Sequence, residues 1–171
     1  MNIFAIEQTP SGDIDWVKSA QSQDNYRVVK MILESCQMLC AVINTQHGEQ
    51  VTPYRTTHVK HPSTLWVAQS SGNFECLVEH TLAMLDEYTE RFGKIHKCAG
   101  VLEKVLDLYE PSRFKKHEVT PLTLCMPDEF KGDCIIDSYR RFYCSKPRMR
   151  YPTEKIPTWF REYRELPFQE I

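Results

Sequence analysis

One stretch near the amino terminus constrains the fold more than any other: apolar residues recur three and four positions apart from Val28 to Ile43. On a helical projection they occupy one arc of about 140°, which predicts an amphipathic helix. Asp24 or Asn25 is placed to cap its start, and the pattern ends near Asn44. The predicted core face comprises Val28, Val29, Ile32, Leu33, Cys36, Leu39, Cys40 and Ile43, and the polar stripe opposite comprises Arg27, Lys30, Glu34, Gln37 and Ala41.

Helical spacing and capping signals predict three more helices between two irregular ends. Gly93 and Pro111 are stop signals, Asp133 is a predicted cap, and the Ser-Gly-Asn sequence at 71–73 predicts a bend or a break. The predicted elements are an irregular or strand-like arm over 1–23, helices over about 63–91, 94–109 and 133–145, a loop over 115–130 and a tail from 146 onwards. The tail is rich in proline, and its aromatic anchors are Tyr151, Trp159, Phe160, Tyr163 and Phe168. The sequence therefore predicts a mainly α single compact domain of three to four helices over 1–171, with an N-terminal arm and a wrapped tail.

Composition narrows the class of protein. The chain has 171 residues, 42% hydrophobic and 26% charged, which is the balance of one globular domain. Seven cysteines, an odd number in mostly apolar context, predict reduced thiols and a reducing compartment. Cys36 and Cys40 lie one helical turn apart without a second ligand pair at zinc spacing, so neither a metal nor a cofactor is predicted. We expect a monomer of the cytoplasm, or of the host cytoplasm if the protein is viral, with no membrane association.

Charge is distributed unevenly along the chain. The net charge is −2, yet the stretch from 139 to 161 holds seven basic residues against Glu154 alone. Such a local field suits phosphate binding, and a solvated surface tail is the equal alternative. The candidate DNA contacts in this stretch are Arg140, Arg141, Arg148, Arg150 and Trp159.

Glu34 is the first candidate for chemistry, because Arg27 and Lys30 share its helix stripe and suit a cleft that meets a phosphate backbone. A solvated glutamate paired with a lysine one turn away is the simpler interpretation. Two basic groups extend the candidate DNA surface. They are a loop with Tyr54, Arg55, His58 and His61, and a predicted helix start with Lys94, His96 and Lys97. The alternative for the loop is that His61 caps a helix.

Other reaction classes have no motif in this chain. Glycine-rich phosphate loops, dinucleotide fingerprints, the Gly-x-Ser-x-Gly turn and the His-Glu-x-x-His zinc pair are all absent from the sequence. Asp128 and Glu129 form an acidic pair that fits a helix-entry turn better than acid–base chemistry.

The order of these features resembles the pyrimidine-dimer DNA glycosylases, the phage endonuclease V type. Glu34 stands where that family has its catalytic glutamate, with Asn25 and Arg27 in place of the family's Asp-x-His start. The His61-Pro62 loop, the 126–133 segment Met-Pro-Asp-Glu-Phe-Lys-Gly-Asp and the closing Pro-Thr-Trp-Phe are similar to further family segments. The chain also looks like phage-encoded proteins of unassigned activity that begin Met-Asn-Ile-Phe and carry Val-Val-Lys-Met-x-Leu-Glu.

The resemblance implies an enzyme acting on damaged or modified bases in DNA. In that chemistry the N-terminal α-amine attacks C1′ of the sugar and forms an imine, and the glutamate stabilises charge and drives strand cleavage. An α-amine, whose ordinary pKa is about 8, is a usable nucleophile at neutral pH. Asn2 is bulky where the family has Thr, so Met1 is expected to remain and to supply the amine.

Two alternatives stay open on the same scaffold. One is a phage module that binds distorted or modified DNA without cutting it. The other is a nucleotide- or base-modifying enzyme that uses Glu34 and His61.

Overall fold

The computed structural model describes residues 1–164 and the backbone at 169 and 170, and the fold is mainly helical. The helices are α1 (Trp16–Gln21), α2 (Asn25–His47), α3 (Pro62–Gln69), α4 (Ser71–Phe92), α5 (Ala99–Leu108), α6 (Ile135–Cys144) and α7 (Phe160–Tyr163). Two residues at 150–151 (β1) pair in parallel with 169–170 (β2). The prediction of a mainly α single domain is confirmed. The predicted number of helices, three to four, is wrong. Helices α1 and α7 are too short to show an apolar repeat in the sequence, and the helix predicted over about 63–91 is divided into α3 and α4.

Helix α2 lies at the centre of the core. Asp24 caps it by accepting a hydrogen bond from Tyr26 N, and Gly48 ends it in the left-handed conformation. The buried face is centred closer to Met31 and Met38 than predicted, since α3, α4 and α5 all pack on this helix. Three side chains consequently differ from the prediction: Val29 and Leu33 are 40% and 38% exposed, whereas Ala41 is fully buried.

By length and composition alone, α2 is the one described helix that is able to cross a membrane. In its most apolar stretch, 67% of the residues are buried inside the protein. That burial is the property of a core helix, so the feature is weak evidence for a membrane span.

The predicted second helix breaks at Ser70, as the Ser-Gly-Asn sequence allowed. Ser70 is extended and caps α4 with its hydroxyl, which accepts from Asn73 N at 3.1 Å. Gly72 then lies against the backbone of the 115–130 loop, and its amide donates to His117 O at 3.2 Å. A side chain at position 72 has no room there, because a Cβ would stand 2.7 Å from that carbonyl oxygen.

We therefore expect Gly72→Ala to lower the free energy of unfolding by about 1–3 kcal/mol, since the loop backbone has to shift. Gly100→Ala is the matched control, because a Cβ at position 100 of α5 meets nothing within 4 Å. That change is expected to be neutral or to stabilise the helix by about 0.5–1 kcal/mol. Urea unfolding of both variants measures the difference, and equal midpoints would contradict the close contact.

Two predicted helix starts are wrong. The chain turns over 94–98 after the left-handed Gly93, so α5 begins at Ala99 and not at Lys94. Helix α6 begins at Ile135, and the residue before it, Cys134, makes no side-chain cap. Asp133 is exposed and does not act as the cap.

The arm and the tail are both packed against the helices. Residues 3–6 of the arm are buried, and the ring of Phe4 meets the edges of Tyr139 and Tyr143 on α6. The tail is anchored by Trp159 and Phe160, which are buried as predicted, whereas Phe168 falls outside the described residues. Because the arm crosses the core, the first residue emerges beside α2.

Candidate functional site

The amino terminus lies next to the carboxylate of Glu34. The α-amino nitrogen of Met1 is 3.6 Å from Oε2 of Glu34, and the backbone N–H of Asn2 donates to the same oxygen at 3.1 Å. Lys30, one turn earlier on α2, places its Nζ 3.4 Å from Oε1. The side chain of Glu34 is 13% exposed, so the carboxylate is largely enclosed and engaged on both oxygens.

The side chain of Asn2 fixes this arrangement. Its amide Nδ2 donates to Cys125 O at 2.8 Å, and its Oδ1 accepts from Ile3 N at 3.0 Å. Ile3 is buried behind it, and the Met1 side chain packs against the core. The first two residues are thus held at three points, which orders a segment that is commonly frayed.

A cleft of about 840 Å³ opens in front of the pair. Its walls come from α2, the arm, the 125–127 segment and residues 146–150 after α6. Its basic lining consists of Arg27, Lys30, Lys146, Arg148 and Arg150, and its aromatic lining consists of Phe4, Tyr26, Phe92 and Phe142. Among the residues that the structure describes, Glu34 is its one acidic lining residue. Of the aromatic rings Tyr26 is exposed, and a positive surface with an exposed ring is the combination that binds phosphates and stacks bases.

The five cations differ in how they are held. Arg27 is 3.4 Å from buried Asp24 and donates to Pro147 O at 3.1 Å, and Lys30 pairs with Glu34. The other three lining cations, Lys146, Arg148 and Arg150, have no carboxylate within 4.0 Å among residues 1–164. One of them, Lys146, holds its Nζ 3.3 Å from the centre of the Phe142 ring. Burial, with help from Arg27 and Lys30, lowers the pKa of Lys146 to about 8.

Six residues singled out in the sequence line this one cleft: Met1, Arg27, Lys30, Glu34, Arg148 and Arg150. They come from both ends of the chain and from its first long helix. The N-terminal amine and the Glu34 carboxylate face one another at the wall of this basic cleft.

The loop from Tyr54 to His61 lies outside the lining of the cleft. Tyr54 is partly buried, with its hydroxyl 3.3 Å from Cys98 Sγ, while Arg55 and His58 are exposed. His61 caps α3, because its Nδ1 accepts from Ser63 N at 3.2 Å. Burial lowers the pKa of His61, and the α-ammonium group and His58 lower it further while Glu34 opposes them. Both charged groups of the site, the α-ammonium and Glu34, therefore act on the pKa of this histidine.

Other predicted contacts require correction. Lys94, His96 and Lys97 precede α5 rather than form its first turn, so they are not a helix N-terminal phosphate site. His96 packs edge-on against the ring of Tyr88, and Lys94 and Lys97 are exposed away from the cleft lining.

The basic residues of α6 serve the fold. Arg140 donates to Ile6 O at 2.9 Å and lies 4.7 Å over the ring of Trp159. Trp159 is 6% exposed and donates its indole N–H to Glu7 at 2.8 Å. Arg140 and Trp159 therefore bond to other residues inside the protein, and their prediction as DNA contacts is not supported. Arg141 is exposed, bonds to Phe130 O at 3.1 Å and does not line the cleft.

Sequence reasoning missed Asn2, Tyr26, Lys146 and Phe142 as parts of the site. Lys146 was visible as one of the basic residues in the 139–161 stretch, but nothing in the sequence separated it from Arg140. The position of Asn2 depends on Cys125, 123 residues away, and such a contact has no local signal. Within the described part of the chain, no three of the His, Cys, Asp and Glu side chains gather to hold a metal.

The chain matches no protein-family model, and the searches of curated proteins and of solved structures likewise return no match.

Proposed function

We propose that this protein binds DNA and acts at a damaged, modified or missing base as a DNA glycosylase and abasic-site lyase that uses the amine of Met1 and the carboxylate of Glu34. The observation that carries the proposal is the 3.6 Å approach of that amine to that carboxylate at the wall of a basic cleft. An amine and an acid at this distance are the two groups that imine chemistry at a sugar carbon needs.

The proposed steps balance as follows. The lone pair of the α-amine bonds to C1′ while the bond from C1′ to the base breaks, and the base leaves with the electron pair and takes up a proton. The nitrogen then loses one proton, its lone pair opens the C1′–O4′ bond, O4′ takes up a proton, and a protonated imine (an iminium) forms. Removal of a proton from C2′ expels the 3′ phosphate and breaks the strand. At an abasic site, the amine condenses with the C1′ aldehyde and releases water.

Glu34 has two parts in this scheme. Its carboxylate receives a proton from the attacking amine, and its negative charge stabilises the cationic iminium. Lys30 on the second oxygen keeps the carboxylate oriented toward the terminus. Enclosure of the group strengthens both effects, because charges interact more strongly away from water.

DNA is the proposed substrate because of the lining of the cleft. Its volume of about 840 Å³ lies within the roughly 300–1,000 Å³ of pockets that enclose a small organic group. A nucleotide taken out of the duplex has to stack on something, and Tyr26, 54% exposed at the wall, offers a ring.

The test is incubation of the full chain with duplex DNA containing one abasic site, with and without sodium borohydride. We expect strand scission and a borohydride-dependent covalent complex that migrates at the summed mass on a denaturing gel. A Gly-Ser extension before Met1 is the matched control, since it moves the amine away from Glu34. Absence of both products across abasic and damaged substrates would remove the proposal.

A second candidate is an enzyme that modifies a nucleotide or a base with Glu34 and His61. The placement of His61 favours it, because its ring caps α3 at Ser63, whose hydroxyl donates to Cys125 Sγ at 3.2 Å, and Cys125 lines the cleft with Glu34. Mass spectrometry of nucleosides after incubation with nucleotides and DNA tests it, and an unchanged nucleoside profile would contradict it.

A further inference from the structure

The five residues from Lys146 to Arg150, called here the cationic segment, form one wall of the cleft. In the sequence Lys-Pro-Arg-Met-Arg, a cation stands at every second position. Lys146, Arg148 and Arg150 all line the cleft opened by Met1 and Glu34. An inference about what this wall binds rests on the proposed action on DNA.

The residues between the cations fix the segment to the body of the protein. Pro147 accepts a hydrogen bond at its carbonyl from Arg27 on α2 at 3.1 Å. Met149 is 2% exposed and belongs to the core. Tyr151, the residue after the segment, is fully buried and donates its hydroxyl to Ser22 O at 3.0 Å. Anchors and cations therefore alternate, and the backbone is held before any ligand arrives.

The cations themselves are left available. The ammonium of the half-buried Lys146 lies over the Phe142 ring. Arg148 and Arg150 are exposed and make no ion pair within residues 1–164. Arg91, by contrast, lies 2.7 Å from the buried carboxylate of Glu87. Three cations without acidic partners along one cleft wall carry charge that the fold itself does not neutralise.

Arg148 adds a conformational observation. Its φ is +56°, and together with His58 it is one of the two non-glycine residues with positive φ that the described chain contains. The left-handed region is unfavourable for a residue with a β-carbon, and glycine adopts it without strain. Strained backbone persists where the side chain it presents has a use. Glycine at position 148 would relieve this strain and would lack the guanidinium that Arg148 presents to the cleft.

We infer that the cationic segment is a preorganised phosphate-binding element, in which Lys146, Arg148 and Arg150 bind neighbouring phosphodiesters of the DNA strand that carries the reacting nucleotide. Guanidinium groups bind phosphate through paired hydrogen bonds, and the ammonium of Lys146 binds it as a point charge. A strand that is bound on this wall of the cleft presents the sugar of the reacting nucleotide to the Met1 amine on another wall.

Arg148→Gly separates binding from stability, because it removes the cation and relieves the backbone at once. We expect a melting temperature that is unchanged or higher, and an affinity for abasic-site DNA, measured by fluorescence anisotropy, about threefold to tenfold weaker. The slope of log affinity against log salt should fall by about one. Lys104→Ala, which removes an exposed charge on α5 outside the cleft, is the control and should leave the slope unchanged.

Unchanged affinity and slope in both Arg148→Gly and Lys146→Ala would overturn the inference, provided that the unmodified chain binds DNA with a salt-dependent affinity. If the unmodified chain does not bind DNA at all, the inference and the proposed function both fail. Salt-sensitive binding that depends on Arg148 without any borohydride trapping would retain the phosphate-binding element and remove the lyase.

Discussion

Glu34→Gln is expected to lower the rate of strand scission at an abasic site by about 10²- to 10⁴-fold, the range typical of a lost general acid–base group. Glutamine keeps an oxygen that accepts the hydrogen bond from Asn2 N, so the arm should remain in place. It removes the charge that pairs with the α-amine and with Lys30. Single-turnover cleavage of labelled DNA measures the rate, and anisotropy measures the affinity.

DNA affinity should change little or rise in this variant, because an acid that lines the cleft is neutralised. Glu103→Gln is the matched control, since Glu103 is exposed on α5 and outside the cleft lining. Cleavage by Glu34→Gln at the unmodified rate would show that the carboxylate has no part in the reaction and would leave at most a binding protein.

Glu7→Ala is expected to lower the free energy of unfolding by about 3–5 kcal/mol, the usual cost of removing one partner from a buried charged network. Glu7 is 6% exposed and accepts hydrogen bonds from Ser22 Oγ and from the Trp159 indole N–H. Its second oxygen lies 3.5 Å from the guanidinium of Arg140. The carboxylate therefore joins the arm, α6 and the tail, and its removal leaves three donors without their acceptor.

For a chain of this length, the loss corresponds to a fall in melting temperature of about 6–20 °C. Glu7→Gln should cost less, because the amide oxygen still accepts from one donor, and Glu110→Ala, which loses an exposed pair with Arg113, should cost little. A Glu7→Ala protein that melts within about 2 °C of the unmodified chain would contradict the role of Glu7 as the anchor of the arm.

Local sequence signals were sufficient for the elements that depend on local physics. The repeat from Val28 to Ile43 predicted α2, and the Ser-Gly-Asn sequence predicted the break between α3 and α4. Local signals failed where the packing of neighbouring helices determines which side chains are buried. Val29 lies within the apolar arc yet is 40% exposed, because the neighbouring helices cover α2 from the Met31 side.

The candidate site divides in the same way. Glu34, Arg27 and Lys30 share one stripe of one helix, so helical spacing alone placed them together. Arg140 and Arg148 come from the same basic stretch and were indistinguishable in the sequence. The first donates to Ile6 O inside the protein and the second faces the cleft. The difference comes from α6, which turns Arg140 toward the arm before the chain leaves the helix.

If the amine of Met1 is the nucleophile, it is the group that becomes joined to DNA, and this bond can be located directly. The borohydride-reduced complex with abasic DNA is digested with protease and nuclease, and the peptides are sequenced by mass spectrometry. We expect the sugar remnant to be attached to the α-nitrogen of Met1. Attachment to Lys30 or Lys146 in the same cleft, or to no residue, would contradict it.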